Sequence, residues 1–554
     1  MIAQRSGADA FLEQLVAADV EWIFGNPGTT EQQLLHRLPN YPEIGFITAL
    51  HESVAVVAAE GYARASGKIG VVELHAGPGL GNGMGMLFNA AEGGTPLLVY
   101  VGQSAQSGMY LEPTLSTDLV AMSAPVAKWA VEIRTVNEIP QILRRAIKVA
   151  MTEPCGPVVV TVPMDLMSAA CDAAVVPMSM VDMRVEPNPA SVAAAADAIA
   201  AASNPVIIVG DGVARAGAID LVAELAHTIG APIYGGAMAH TCIDPDEPLG
   251  AGRLPSIDAA DARVALAPFD TVIAIGTSVF ANVFTVPGLP LVEQNVVHIG
   301  LDPWELAKNQ PSTVVFGDEA RSVECLIARL KPAMEGRRDE VQARITAYVT
   351  SAAAKLDAAR KRDQARFDQL PMTVERAMSE VATVLPTSTI VVDESLTGYS
   401  ALGRYLRLER DGWFRLRGGG IGAGMPMPIG IQLARPGERV VAFVGDGSSM
   451  YTISAMWTAA HYDLPIVWVV LNNASYRVLK ENVRRDGVNR DEADLLTGAD
   501  LVNPRLDFVA LAAGLGVTGR RIEDPDSLAQ ALTDALDAGV PYLIEVVIDG
   551  QLSD

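Results

Sequence analysis

The run Val440-Val-Ala-Phe-Val-Gly-Asp-Gly-Ser-Ser449, with Leu464-Pro-Ile-Val-Trp-Val-Val-Leu-Asn-Asn473 after it, constrains the fold more than any other part of this chain. Each run begins with continuous apolar, β-branched residues, the pattern of a strand buried on both faces of a parallel sheet, and each stops at turn-forming residues. Two carboxy-terminal strand ends therefore present Asp446 and Asn473. Ligands of open α/β sheets bind at that edge, where Gly445 and Gly447 let main-chain N–H groups approach a phosphate. A carboxylate, an amide oxygen and a nearby main-chain carbonyl suit a hard, octahedral Mg²⁺ completed by phosphate oxygens and water. The stretch predicts a metal-bridged diphosphate site, although Gly-Asp-Gly alone is equally an ordinary strand turn.

The spacing carries more. Asn473 follows Asp446 by 27 positions, with a strand before each and the helix-like segment Met450–Tyr462 between them. This resembles the Gly-Asp-Gly…Asn-Asn motif of thiamine-diphosphate-dependent enzymes. The resemblance implies Asp446, Asn473 and the Ser475 carbonyl as Mg²⁺ ligands, with thiamine diphosphate as cofactor.

Length and charge bound the rest. At 554 residues the chain is long enough for three or four domains, and three is the expectation. The net charge of −24 argues against a nucleic-acid partner, which is bound by surplus Lys and Arg. Every apolar run is too short to span a bilayer, and residues 1–10 lack a signal-peptide pattern, so a cytoplasmic protein without a membrane partner is expected. The four cysteines show no metal-binding or disulfide spacing.

Along the chain, strand-like and helix-like pieces alternate, as in parallel sheets with crossover helices. Ala8–Ala18 reads as a helix, 21–24 and 44–50 as strands, and Gly25-Asn-Pro-Gly-Thr-Thr30 as a sharp turn. A small-residue helix opens at Glu52. A glutamate there commonly does no more than favour the helix dipole. The strand 69–75 ends at His75, followed by the glycine-rich Ala76–Asn82, read as a loop opening a helix at Gly83–Ala91. A histidine at such a strand end is either a proton shuttle or a buried structural residue.

The family resemblance assigns roles to these positions. In the pyruvate decarboxylase and acetolactate synthase group, a glutamate opening such a helix hydrogen-bonds N1′ of the aminopyrimidine and promotes the tautomer that deprotonates C2 of the thiazolium, which implies this for Glu52. Gly25-Asn-Pro-Gly-Thr-Thr-Glu31, Leu74-His75 and Met456-Trp-Thr-Ala-Ala460 look most like benzoylformate decarboxylases. That likeness implies Thr29, where serine is usual, as a contact of the substrate carboxylate, and His75 as an aid to protonation. It places Asn26, Pro27 and Thr397 beside the cofactor, gives Gly419 a carbonyl facing the 4′-amino group, makes Ile421 the apolar wedge that bends the cofactor, and sets Gly445, Gly447, Ser448, Tyr451 and Tyr476 around the diphosphate or pocket. One departure stands out: the segment 277–287 holds no histidine where benzoylformate decarboxylases place a second one.

The proline-rich stretch 176–189 reads as a linker, and 334–368 as a charged helix and second linker. The expected fold is α/β: three doubly wound parallel-sheet domains, pyrimidine-binding at 1–175, central at 190–340 and diphosphate-binding at 370–554. The central part carries no decisive signature for flavin or ADP, and its Gly210-Asp-Gly212 reads as a structural turn. Residues 476–490 read as a surface loop or a mobile lid. The resemblance implies a decarboxylase of a 2-oxo acid, aromatic or otherwise bulky, that yields an aldehyde and CO₂, with carboligation as a side reaction. The alternatives are an acetolactate-synthase-like carboligase and a non-catalytic homologue. In this group Glu52 and Asp446 meet across two chains, which implies a homodimer at least and a homotetramer by expectation.

Overall fold

A computed structural model describes residues 5–236, 239, 243–244, 246–254, 259–278, 291, 293–308 and 310–552. The chain forms three parallel six-stranded sheets flanked by helices, as the alternation requires. The first contains β1 (Trp22–Gly25), β2 (Gly45–Thr48), β3 (Gly70–Leu74), β4 (Leu97–Gln103), β5 (Trp129–Glu132) and β6 (Val158–Pro163), in the order β2-β1-β3-β4-β6-β5. The second contains β7 (Pro205–Val209), β8 (Ile233–Gly235), β9 (Gly250–Arg253), β10 (Thr271–Ile275), β11 (Asn295–Gly300) and β12 (Thr313–Phe316), in the order β12-β11-β10-β7-β8-β9. The third contains β13 (Ile390–Glu394), β14 (Trp413–Arg415), β15 (Val440–Gly445), β16 (Ile466–Asn472), β17 (Thr518–Ile522) and β18 (Tyr542–Val547). Its order, β14-β13-β15-β16-β18-β17, repeats that of the first sheet.

Contacts divide the chain into two compact units. One comprises Met1–Val181, Val391–Thr397 and Leu416–Asp554, and the other comprises Asp182–Ile390 and Gly398–Arg415. In the first unit, Ile23, Val71, Leu98, Val158 and Val160 line one face of the first sheet, beneath Phe11, Leu12 and Leu15 of the helix Gly7–Val16. In the second unit, Ile207, Ile273, Val297 and Val315 form the corresponding layer under Val192, Leu225 and Leu326. No described helix is long and apolar enough to cross a membrane.

Within the first unit the helix Glu52–Ser66 crosses the helix Met427–Ala434 with their backbones in contact. A Cβ on Gly430 would lie 1.8 Å from the Ala58 carbonyl oxygen, and one on Gly61 would lie 2.3 Å from that of Met427. Only glycine at both positions permits this approach, which is the packing use of the small residues in the Glu52 helix.

Three expectations for local structure change. The glycine-rich segment 76–82 is not a loop: it forms the first turns of one helix, Ala76–Glu92. Its small residues serve close packing, since a Cβ on Gly79 would lie only 3.2 Å from Glu52 Oε1 and 3.3 Å from His75 Cβ. The segment 450–462 is not one helix either. Asp446–Ser449 makes a single helical turn, and regular helix resumes only at Ala455–His461. Residues 477–485 are helical rather than a loop, with Lys480 buried and paired to Asp494 and Asp500 at 3.0 and 2.7 Å. The segment 277–287, with its missing histidine, falls largely outside the described residues.

Candidate active site

All the site residues singled out in the sequence lie in the first unit. Glu52 is the first residue of its helix and is 8 % exposed. The preceding His51 caps the helix by accepting from the Ser53 N–H at 3.1 Å, which frees the Glu52 side chain from capping. Its Oε2 accepts from Asn82 Nδ2 at 3.0 Å, and its Oε1 lies over Gly79, where a Cβ would come within 3.2 Å. The helix Ala76–Glu92 thus holds the carboxylate from the side.

His75 follows β3 directly and precedes that helix. Its Nδ1 lies 2.8 Å from Glu31 Oε2 and 2.9 Å from Thr30 Oγ1. The Thr30 hydroxyl donates to Glu31 Oε1. With that hydrogen directed to Glu31, both neighbours of Nδ1 are acceptors, which puts the ring proton on Nδ1 and leaves Nε2 available. Glu31 is fully buried, in space left by Gly28 and Gly102. Burial pushes its carboxyl above the ordinary range, opposed by the hydrogen bonds to Thr30 and His75. Thr29 and Pro27 are exposed on the same turn and Asn26 is half-buried, so the hydroxyl that reaches His75 is that of Thr30 rather than Thr29. Thr30 and Glu31 were legible only as parts of a motif, with nothing local to mark them as partners of a histidine 44 or 45 positions away.

Glu73, two residues before His75 on β3, pairs in register with Gly25 of β1 and Tyr100 of β4. It is fully buried, neither carboxyl oxygen makes a hydrogen bond of good geometry, and a Cβ on Gly25 would lie 2.1 Å from Oε2. Burial, then the neighbouring charges of Glu31 and Glu52, push it up to about 9, offset in small part by the approach of the Asn26 N–H. Glu73 is therefore a neutral acid at pH 7.

At the third sheet, β15 and β16 lie side by side and in register, with Gly445 opposite Leu471, so Asp446 and Asn473 emerge from neighbouring strand ends. Asp446 is buried. Its Oδ1 accepts from the Gly447 N–H at 2.7 Å, while Oδ2 has no hydrogen-bond partner. Burial pushes its carboxyl up to about 6, against the main-chain N–H groups of residues 447 and 473–475. Asn473 Oδ1 accepts from the Ser475 N–H at 3.0 Å. The turn 474–476 is locked by Tyr476 N to Ala499 O at 2.7 Å and Leu501 N to Ala474 O at 2.8 Å. A Cβ on Gly447 would strike the Tyr476 ring at 2.3 Å. Ser395, Thr397, Gly445, Asp446, Gly447, Ser448, Asn473, Ser475 and Tyr476 line one cleft, which brings together nine residues from three segments of the sequence. Tyr451 is exposed beside it.

A buried carboxylate oxygen without a partner, next to an amide oxygen and a turn carbonyl, fits a hard divalent cation, and the glycine-lined turn fits a diphosphate. Among the described residues no group of three His, Cys, Asp or Glu side chains competes as a metal site. Gly419 and Ile421 lie on the segment 416–426, with Gly419 exposed and Ile421 half-buried.

This fold and these sites define a class, and comparison with known proteins agrees with it. Residues 5–122 match the N-terminal TPP binding domain of thiamine pyrophosphate enzymes, 192–326 their central domain, and 398–546 their C-terminal TPP binding domain. The chain belongs to this family. It is 32 % identical to a benzoylformate decarboxylase of Pseudomonas aeruginosa over 95 % of each chain, and 28 % identical to an acetolactate synthase large subunit of Parasynechococcus marenigrum over 98 % of this chain and 87 % of that one. Its structure resembles that of a thiamine diphosphate-dependent 4-hydroxybenzoylformate decarboxylase of Rhodococcus jostii, with a TM-score of 0.84, 26 % identity, and coverage of 98 % of this chain and 99 % of the other.

Proposed function

We propose that this chain is a thiamine-diphosphate- and Mg²⁺-dependent decarboxylase that converts a 2-oxo acid, aromatic or otherwise bulky, to an aldehyde and CO₂, with carboligation as a side reaction. The observation that carries the reading is His75, held through Nδ1 by Glu31 and Thr30 at the end of β3, because a decarboxylase needs a proton donor where the aldehyde forms. Similarity to benzoylformate and 4-hydroxybenzoylformate decarboxylases supports the aromatic substrate class.

In this reading Asp446, Asn473 and the Ser475 carbonyl hold the metal. Thr397, Gly445, Gly447, Ser448, Tyr451 and Tyr476 surround the diphosphate, and Asn26 and Pro27 border the pocket. Glu52 would receive N1′ of the pyrimidine, the Gly419 carbonyl would orient the 4′-amino group, and Ile421 would pack against the cofactor as an apolar wedge. When bound, thiamine diphosphate supplies a carbon nucleophile and an electron sink for the departing CO₂. Thr29 orients the substrate carboxylate, and His75, once Nε2 has also taken up a proton from solvent, passes that proton on as the aldehyde forms, with Glu31 facing Nδ1. Glu52 and Asp446 serve one site across two copies of the chain, in a homodimer or a homotetramer. The domains run 1–175, 190–340 and 370–554.

A second reading, an acetolactate-synthase-like carboligase, is favoured by similarity over 98 % of this chain to synthases of that name. End-product analysis with Mg²⁺ and thiamine diphosphate across benzoylformate, phenylpyruvate, branched 2-oxo acids and pyruvate separates the two. Aldehyde and CO₂, lost in Glu52→Gln, are the expected result. Acetohydroxy acid without aldehyde would replace the first reading by the second.

A further inference from the structure

The segment carrying Gly419 and Ile421 is held by three side chains from three separate elements. On one side of Ile421, Gly420 is bonded through both main-chain groups to Asn89, fully buried in the helix Ala76–Glu92. Gly420 N–H donates to Asn89 Oδ1 at 2.9 Å, and Asn89 Nδ2 donates to the Gly420 carbonyl at 2.6 Å. On the other side, the Gly422 N–H donates to Glu394 Oε1 at 2.6 Å, and the Thr452 hydroxyl donates to the Gly422 carbonyl at 2.6 Å. Glu394, at the end of β13, also accepts from Ala423 N–H at 3.2 Å and Gly424 N–H at 2.6 Å. Gly422 sits at φ +112°, and a Cβ there would meet Tyr451 Cβ at 2.8 Å, so the bend after Ile421 requires glycine.

A loop that only connected β14 to the helix Met427–Ala434 would not need such fixation, and loops ordinarily lie at the surface with water as partner. Here the four polar main-chain groups flanking one half-buried apolar residue are all satisfied by buried side chains. Glu394, Asn89 and Thr452 are 2 %, 0 % and 3 % exposed. A buried carboxylate inside a nest of three N–H groups is costly to desolvate, and such networks fix geometry when every member is satisfied.

We propose that Asn89, Glu394 and Thr452 are positioning residues that set the height and direction of Ile421 and the Gly419 carbonyl against the cofactor. The inference deepens the proposed function and rests on it. Because Asn89 stands on the helix that also contacts Glu52 through Asn82, one helix of each chain supports an N1′ partner and a wedge, which in a dimer serve its two different sites.

The test is hydrogen–deuterium exchange at C2 of thiamine diphosphate bound to the full-length protein with Mg²⁺, followed by quenched-flow NMR, beside cofactor affinity and thermal unfolding. Asn89→Asp keeps the shape but cannot donate to the Gly420 carbonyl, and Thr452→Val removes the other clamp. Both are expected to slow exchange about tenfold or more, within the range seen when supporting hydrogen bonds of a site are removed, with less effect on affinity. Thr452→Ser, which keeps the hydroxyl, is expected to restore the wild-type rate. Ile421→Ala is expected to slow exchange by itself, and Asn89→Asp is expected to add little to it, because the two act on one feature. Wild-type exchange in folded Asn89→Asp and Thr452→Val would overturn the inference and leave the proposed function standing. Failure of the wild-type protein to bind thiamine diphosphate would overturn both.

Discussion

His75 and Asp446 occupy the same place in two sheets of identical strand order: each is the first residue after the third strand in chain order, β3 in one sheet and β15 in the other. One position carries the proposed acid and the other the proposed metal ligand. The shared topology places chemistry at corresponding carboxy-terminal edges, where strand ends diverge and leave a crevice.

Glu52→Gln keeps the volume and the contact with Asn82 but removes the charge. Turnover is expected to fall by a factor of about 10² or more, the usual contribution of a positioned acid–base group. Steady-state kinetics at saturating cofactor, beside a thermal melt matching wild type, check this.

For His75→Ala, aldehyde formation is expected to drop about 100-fold. Glu31→Gln should cost less, about tenfold, because the ring keeps Thr30 while losing the charged partner that orders it. A larger loss in Glu31→Gln than in His75→Ala would remove the pair from the mechanism. The checks are rates of aldehyde release.

Glu73 gives a stability prediction with a defined sign. Its folded pKa, about 9, lies above the ordinary carboxylate value of 4.5. The folded state therefore binds the extra proton between these values, so the contribution is full below about pH 4.5 and is lost as pH rises towards 9, at up to about 1.4 kcal/mol per pH unit. Glu73→Gln, neutral at every pH, should unfold at higher temperature than wild type at pH 8 and show a flatter dependence. Calorimetry from pH 5 to 9 reads both.

Asp446→Asn should weaken activation by Mg²⁺ about 10- to 100-fold, with thiamine diphosphate present in excess. Chelation of the metal should abolish cofactor retention in wild type, measured by gel filtration and thiamine fluorescence. Retention after chelation would separate cofactor binding from the metal.

Gly430→Ala is expected to destabilise the protein by about 3 kcal/mol, since the added methyl meets the Ala58 main chain rather than a side chain able to move. Chemical denaturation measures it. An unchanged midpoint would mean that the two helices separate at no cost.

Much of the site was legible because its signals are local. An apolar run stopped by Gly445 and Asp446 reads as a buried strand meeting a polar edge, and Glu52 is found at the start of its helix, although only the family resemblance gives it a role. Sequence alone shortens the helix Ala76–Glu92 to 83–91, because glycine is weighed there by its backbone cost, whereas in the fold it serves close packing against Glu52 and Val56. Lys480 lies in a segment whose polar composition signals a surface, yet two aspartates hold it in place once the 477–500 segment folds back.

The sequence by itself determined the α/β alternation and the two strand ends that present Asp446 and Asn473, because strand periodicity and turn chemistry act over a few residues; the family came from the resemblance of its motifs. Tertiary structure alone decided which groups act together. Glu31 reaches His75 across 44 positions, and Asn89 grips Gly420 across 331. A hydrogen bond depends on distances of a few ångström in space and is indifferent to separation along the chain, so these pairings exist only once β1, β3 and the third sheet have packed.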